Sequence, residues 1–93
     1  MSLLREPSHF LSMALNKYFR RLKRMDGLIH HKATGNSHAF ADRLGISTTS
    51  LQEYLQALRD LGGKIGYCRR RQTYYYLDDR RLFLGYQGGG ENA

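Results

Sequence analysis

Apolar residues recur at steps of three and four from the start of the chain. After Pro7 come Phe10, Ala14, Tyr18, Leu22, Met25 and Ile29, the spacing of one helix face. Proline is tolerated in a first helical turn, so the spacing predicts a helix from Pro7 to about His31. Ala33-Thr34-Gly35-Asn36 supplies the breakers and cap residues that end it, and Gly27 weakens its last turns. The pattern leaves open whether residues before Asn16 continue this helix or form a separate arm. Residues 1–15 are therefore assigned as an N-terminal extension, within which Met13 offers an alternative translation start. Ser37 has the chemistry of an N-cap for a second helix through Phe40, Ala41 and Leu44, stopped by Gly45. Ser47 caps a third helix with Leu51, Leu55, Leu58 and Leu61 on one face and Tyr54 and Ala57 alongside. Gly62-Gly63 ends it.

The hydrophobic period then shortens to two. Lys64 to Cys68 reads as a strand, Arg69-Arg70-Arg71-Gln72 as a turn, and Thr73 to Leu77 as a returning strand rich in aromatic and β-branched residues. Tyr75 and Leu77 share one face of it, and Tyr74 and Tyr76 the other; one pair packs on the helices. Asp78-Asp79 is a turn, and Arg80 to Tyr86 has room for a short third strand. Residues 87–93 have nothing to pack and are expected to be disordered. The predicted class is α+β: one domain over residues 16–86, three helices and a C-terminal hairpin.

Composition narrows the function. The chain has 93 residues, with 15 Lys and Arg against 8 Asp and Glu, a formal charge of +7. That length suits one core, and 41 % hydrophobic residues are enough to build it. No apolar run approaches the roughly 20 residues that cross a bilayer. The N-terminus lacks the basic start and apolar stretch of a signal peptide, so a cytoplasmic location and no membrane partner are expected. A single cysteine excludes an internal disulfide framework and a cysteine-rich zinc site. No phosphate loop, nucleophile elbow or paired catalytic carboxylates occur, so neither an enzyme, a cofactor nor a small-molecule substrate is expected. The positive charge makes a polyanion the first partner to consider.

The most informative stretch is Ser37 to Leu55, SHAFADRLGISTTSLQEYL. Two helices joined by a very short turn cross steeply and need a small residue at the close approach, which Ala41 supplies. The sharp turn needs a glycine four residues later, which is Gly45. Phe40, Leu44, Ile46, Leu51 and Tyr54 supply the shared apolar contacts. Together these positions meet the requirements of a helix-turn-helix; an ordinary helical hairpin with a glycine stop is the competing reading. The sequence here resembles the winged helix-turn-helix found at the front of biotin-ligase repressors and in small free-standing bacterial regulators. The matching residues are Ala41, Leu44, Gly45, Ile46, Ser47, Leu51, Leu55, Leu58, Gly62 and Ile65, followed by the strand Tyr74-Tyr75-Tyr76-Leu77. The likeness spans about residues 16 to 86. It implies a winged-helix fold, binding to double-stranded DNA and a role in bacterial transcription regulation.

Carried over residue by residue, the resemblance places the third helix in the major groove. Ser47, Thr48, Thr49, Ser50, Gln52, Glu53 and Gln56 then become nucleic-acid-binding residues. Gln suits adenine, Thr a thymine methyl and Glu a cytosine amino group. The same helix has no Lys or Arg from Ser47 to Leu58. Cations sit elsewhere. Arg69, Arg70 and Arg71 form the tip of the wing, poised for phosphates or a minor groove. Lys17, Arg20, Arg21 and Arg24 share one face of the first helix, with Lys23 close by. Solvated faces would have the same composition. A homodimer is the expected assembly, and Leu11, Leu15 and Phe19, beside the main stripe, offer a surface for it.

Other residues favour plainer roles. His30, His31 and His38 lack the spacing of a metal site, and no metal is expected. Cys68 alternates with Tyr67 and reads as a small packing residue, although neighbouring arginines would activate a thiol. Two alternatives stand beside DNA binding. A neutral third helix could contact a protein partner, with the charge serving solubility. A tyrosine-rich wing beside arginines could stack on RNA or single-stranded bases.

Overall fold

A computed structural model describes residues 2–84, with side chains from Leu11 onward. Three helices, α1 (Ser2–His30), α2 (Ser37–Leu44) and α3 (Thr48–Asp60), precede two strands, β1 (Ile65–Cys68) and β2 (Thr73–Tyr76), paired as an antiparallel hairpin. The architecture is α+β. No described helix is long and apolar enough to cross a membrane.

The first helix starts at Ser2 rather than Pro7 and runs without a break through the boundary expected near Asn16. Leu3, Leu4, Arg5 and Glu6 are all good helix formers, which extends the segment forward. Its C-terminus comes just ahead of the expected breakers. Lys32 takes a left-handed φ of 55°, and the Ala33 amide donates to the Leu28 carbonyl at 2.9 Å. This is the closing geometry usually given to glycine, and a lysine in it has no sequence signature.

Helix α2 is capped one residue earlier than expected. Asn36, not Ser37, occupies the N-cap, and its side-chain oxygen accepts from the Ala39 amide at 2.9 Å. Ser37 is the first helical residue. Both residue types cap well, and the geometry selects the one whose carbonyl oxygen reaches Ala39. Gly45 has a φ of 70°, and the Ile46 amide turns back to the Ala41 carbonyl at 3.0 Å. After three intervening residues, Thr48 opens α3, whose N-cap Ser47 accepts from the Ser50 amide. The glycine at the pinch and the serine cap agree with the sequence expectation.

The core gathers Leu22, Met25 and Ile29 of α1, Phe40, Ala41 and Leu44 of α2, Leu51, Leu55 and Leu58 of α3, and Ile65 and Tyr74 of the hairpin. Leu61 does not join it; it follows the last turn of α3 and is exposed. Among the described side chains of the first helix, the core begins at Leu22. Tyr74 and Tyr76 form the inward pair on β2. Tyr74 packs on Phe40 with ring centroids 5.6 Å apart, while Leu77 is exposed.

The outer side of β2 is met by the connection between α1 and α2. Thr34, fully buried, accepts the Tyr74 amide at 2.8 Å and lies 3.0 Å from the Thr73 hydroxyl. No third strand forms over residues 80–84; Gly85 and Tyr86, the rest of the expected strand, and the tail over 87–93 lie outside the described residues. The reason is local. The Leu82 amide donates to the Asp26 carboxylate at 3.0 Å, so it is not available to a ladder. Thr34→Val keeps the shape and removes the hydroxyl. The expected cost is about 1–3 kcal/mol, from a buried amide left without an acceptor. A urea unfolding midpoint measures it, with Thr34→Ser expected to retain most of the stability.

Candidate nucleic-acid interface

Helix α3 presents its polar residues in two groups. Thr49, Gln52, Glu53 and Gln56, at i, i+3, i+4 and i+7, are exposed and form one outward stripe opposite Leu51, Leu55 and Leu58. Thr48 and Ser50 are half-buried at the edge of that stripe. Ser47 is exposed, but its hydroxyl oxygen is committed to the cap. At the far end, the Gln56 amide donates to the Asp60 carboxylate at 2.9 Å. That bond leaves the Gln56 carbonyl as its available acceptor. Thr49, Gln52 and Glu53 make no side-chain hydrogen bond with a described residue. They therefore keep their full capacity for a ligand.

A basic cluster lies beside the turn. Lys17, Arg20, Arg21 and Arg24 of α1 line a shallow, solvent-open concavity whose floor includes Leu44, the last residue of α2. The negative end of the α2 dipole is at that same place, which favours cations there. Arg21 is held: its guanidinium donates to the Tyr54 hydroxyl at 3.1 Å and lies 5.5 Å from the Tyr54 ring centre. The ring of Tyr54 also rests 5.2 Å from that of Tyr18. This contact fixes the basic face of α1 against α3; the spacing predicts Tyr54 only as an apolar contact within the helix-turn-helix pair, and its hydroxyl partner on α1 has no local signature. Lys17, Arg20 and Arg24 are exposed and make no ion pair with a described residue.

Arg69, Arg70 and Arg71 are exposed on the turn between β1 and β2. Gln72, with φ of 53°, closes that turn, and the Arg71 amide donates to the Cys68 sulfur at 3.5 Å. The thiol is half-buried against its own turn. The three guanidinium groups have no acidic partner among the described residues. Of the residues singled out from sequence, the structure thus groups Lys17, Arg20 and Arg24 at one concavity, Thr49, Gln52, Glu53 and Gln56 on one stripe, and the three arginines on one turn.

The tyrosines divide unequally. Tyr74 is buried, and the Tyr76 hydroxyl donates to Asp26 at 2.5 Å, so neither ring is a free stacking platform. Tyr67, the more open ring of the hairpin, stands edge-on to Tyr74 at 4.8 Å. Among the described residues, no three His, Cys, Asp or Glu side chains gather as metal ligands; His30 and His31 meet edge to face instead.

Asp26 was the acid that sequence reading passed over. It is 5 % exposed and accepts from Tyr76, from the Leu82 amide and from the Arg81 guanidinium at 2.8 Å. Burial alone would raise its pKa. The hydrogen bonds from Tyr76, Leu82 and Arg81, with the Arg81 charge, outweigh that and hold the carboxyl below its ordinary 3.8. Burial, and then the facing carboxylate, keep the proton on Tyr76 well above its ordinary range. An acid directly after Met25 on the core side of α1 was the available signal. The network ties the segment after β2 to α1 and so holds the hairpin against the helices. Comparison with protein-family models, with curated proteins and with solved structures gave no match to this chain.

Proposed function

We propose that this protein is a DNA-binding protein of the winged helix-turn-helix kind, serving as a small transcriptional regulator. In this reading α3 lies in the major groove and the β1–β2 hairpin is the wing. Thr49, Gln52, Glu53 and Gln56 meet base edges, and Lys17, Arg20, Arg24 and Arg69 to Arg71 meet phosphates. One observation carries the reading. The outward face of α3 has polar side chains free of core duties, and four cations of α1 gather at the C-terminal end of α2, just before the turn that leads into α3. Phosphate contacts position a protein on the duplex, and uncharged groups on the inserted helix discriminate bases.

The test is a titration of fluorescent duplex DNA, first random and then selected in sequence. The reading expects saturable binding that weakens as salt rises. Gln52→Ala and Gln56→Ala are expected to change the selected base preference more than total affinity. Unchanged preference in both removes α3 as the reader. Glu53, together with the absence of Lys and Arg on the same face, favours one second reading, a protein partner docked on α3. That reading expects no saturable duplex binding even at low salt. Equal affinity for single strands would favour an RNA or single-strand binder.

A further inference from the structure

The apolar stripe that forms the α1 side of the core does not stop where the core stops. Leu11, Leu15, Tyr18, Leu22, Met25 and Ile29 follow steps of four, three, four, three and four, a heptad seam on one helix. Leu22, Met25 and Ile29 are buried in the domain. Tyr18 is half-buried at the edge. Leu11 and Leu15 are 59 % and 50 % exposed, and Phe19, flanking them, is 41 % exposed. One continuous seam thus has a covered half and a bare half. The helix is 29 residues long, so about 43 Å, and no side chain from Leu11 to Phe19 is fully buried. A helical stretch as short as Leu11 to Phe19 is marginal in water without tertiary contacts.

We propose that the bare half is covered by the same segment of a second copy, packed antiparallel across a twofold axis near Met13. Such a crossing sets Leu11 of each copy against Leu15 of the other, an isologous contact. Charge supports it. Residues 7–16 contain no Lys, Arg, Asp or Glu, whereas residues 17–24 contain five cations. An antiparallel crossing buries the uncharged segment and sends the two cationic segments to opposite ends. Sterics select the same direction, because a parallel pair would need to stay adjacent along Leu22 to Ile29, where each seam is already filled by its own domain. Lys17, Arg20 and Arg24 lie round the helix from the seam and stay open.

Area sets the strength. The exposed parts of Leu11, Leu15 and Phe19, with the adjoining parts of Ala14 and Tyr18, amount to roughly 300–400 Å² per copy. Homodimer interfaces are about 65 % apolar, so the whole contact would bury about 1,000 Å², the lower edge for a specific interface. An interface of that size is expected to be a weak one, with dissociation on the order of micromolar. The dimer itself does not depend on the DNA reading. Its consequence does: two α3 helices related by a twofold axis would select inverted repeats.

Sedimentation equilibrium of the full chain without DNA, from about 1 to about 300 μM, tests the proposal. The expected result is a monomer–dimer equilibrium that high salt does not weaken. The Leu11→Glu, Leu15→Glu double variant is expected to dissociate at least about tenfold more readily, with the near-ultraviolet circular dichroism of the packed domain retained, since both side chains lie outside the core. Disulfide trapping reads the direction. In a Cys68→Ser background, chains with Leu11→Cys are expected to cross-link to chains with Leu15→Cys in preference to themselves. A monomer at every concentration, a double variant that dimerises as well as the wild type, or a preference for self-linked Leu11→Cys each overturns the proposal. A monomer with exchange-protected amides over 11–19 overturns it too, by assigning the seam to this chain's own C-terminal residues. A monomer that still binds duplex DNA defeats this inference alone, and a dimer that binds no duplex defeats the DNA reading alone.

Discussion

Asp26→Ala is expected to cost about 2–3 kcal/mol of folding stability, a large share of what a domain of this size has. The loss has identifiable parts. The Tyr76 hydroxyl and the Leu82 amide both lose an acceptor in a place water does not reach freely, because Asp26 itself is almost fully buried. Arg81 contributes less, as its side chain is 45 % exposed and solvent screens the ion pair. Asp26→Asn retains an oxygen for Tyr76 and Leu82 and is expected to lose less than alanine. Denaturant midpoints rank the two, and an alanine variant within about 0.5 kcal/mol of wild type would show that the network holds nothing. The carboxylate also sets an acid limit. Its folded pKa lies below the ordinary 3.8, so its contribution is present above that value and is lost as pH falls through the folded pKa. Stability is therefore expected to be insensitive to this group from pH 5 to 8 and to fall below about pH 4. The Asn variant is expected to lack that part of the acid slope. At the other end, the Tyr76 pKa is raised above 10.0, so its contribution is complete below pH 10 and declines as pH climbs toward the folded pKa.

Removing the six cations assigned to phosphate contact is expected to abolish most duplex affinity while leaving the fold intact. Lys17, Arg20, Arg24, Arg69, Arg70 and Arg71 are all exposed and make no ion pair with a described residue, so their truncation leaves no buried partner behind. If all six meet phosphates, the log–log salt slope is near −5, and affinity falls about a thousandfold between 50 and 200 mM salt. Neutralising the three hairpin arginines is expected to reduce that slope by about 3, and neutralising the three α1 residues by a similar amount. The two sets separate the patches, since neutralising a set that makes no phosphate contact would leave both the slope and the affinity nearly unchanged. A slope near zero for the wild type would count against DNA binding altogether. Thermal melts of each variant confirm that binding, not folding, has changed.

The periodicity of the chain was enough to place three helices and a hairpin, because amphipathic spacing and turn residues are local properties. Gly45 and Ser47 were legible for the same reason, each answering a backbone requirement within a few residues. Local chemistry also misled where neighbours competed, as with Asn36 and Ser37 for one cap, or where an uncommon residue did a glycine's work, as with Lys32. The grouping of the candidate site was only partly legible. The outward stripe of α3 follows from helical spacing alone. The fixing of Arg21 on Tyr54 and the gathering of its neighbours around Leu44 join residues twenty or more positions apart. Asp26 with Tyr76 and Leu82, and Thr34 with Thr73 and Tyr74, are bonds across about forty or more positions, and their polar residues looked like ordinary surface or loop residues in the sequence. Which polar side chains are buried depends on what the folded chain brings over them. Tertiary packing alone decided that Thr34 and Asp26 belong inside, and that the front half of the α1 seam stays outside.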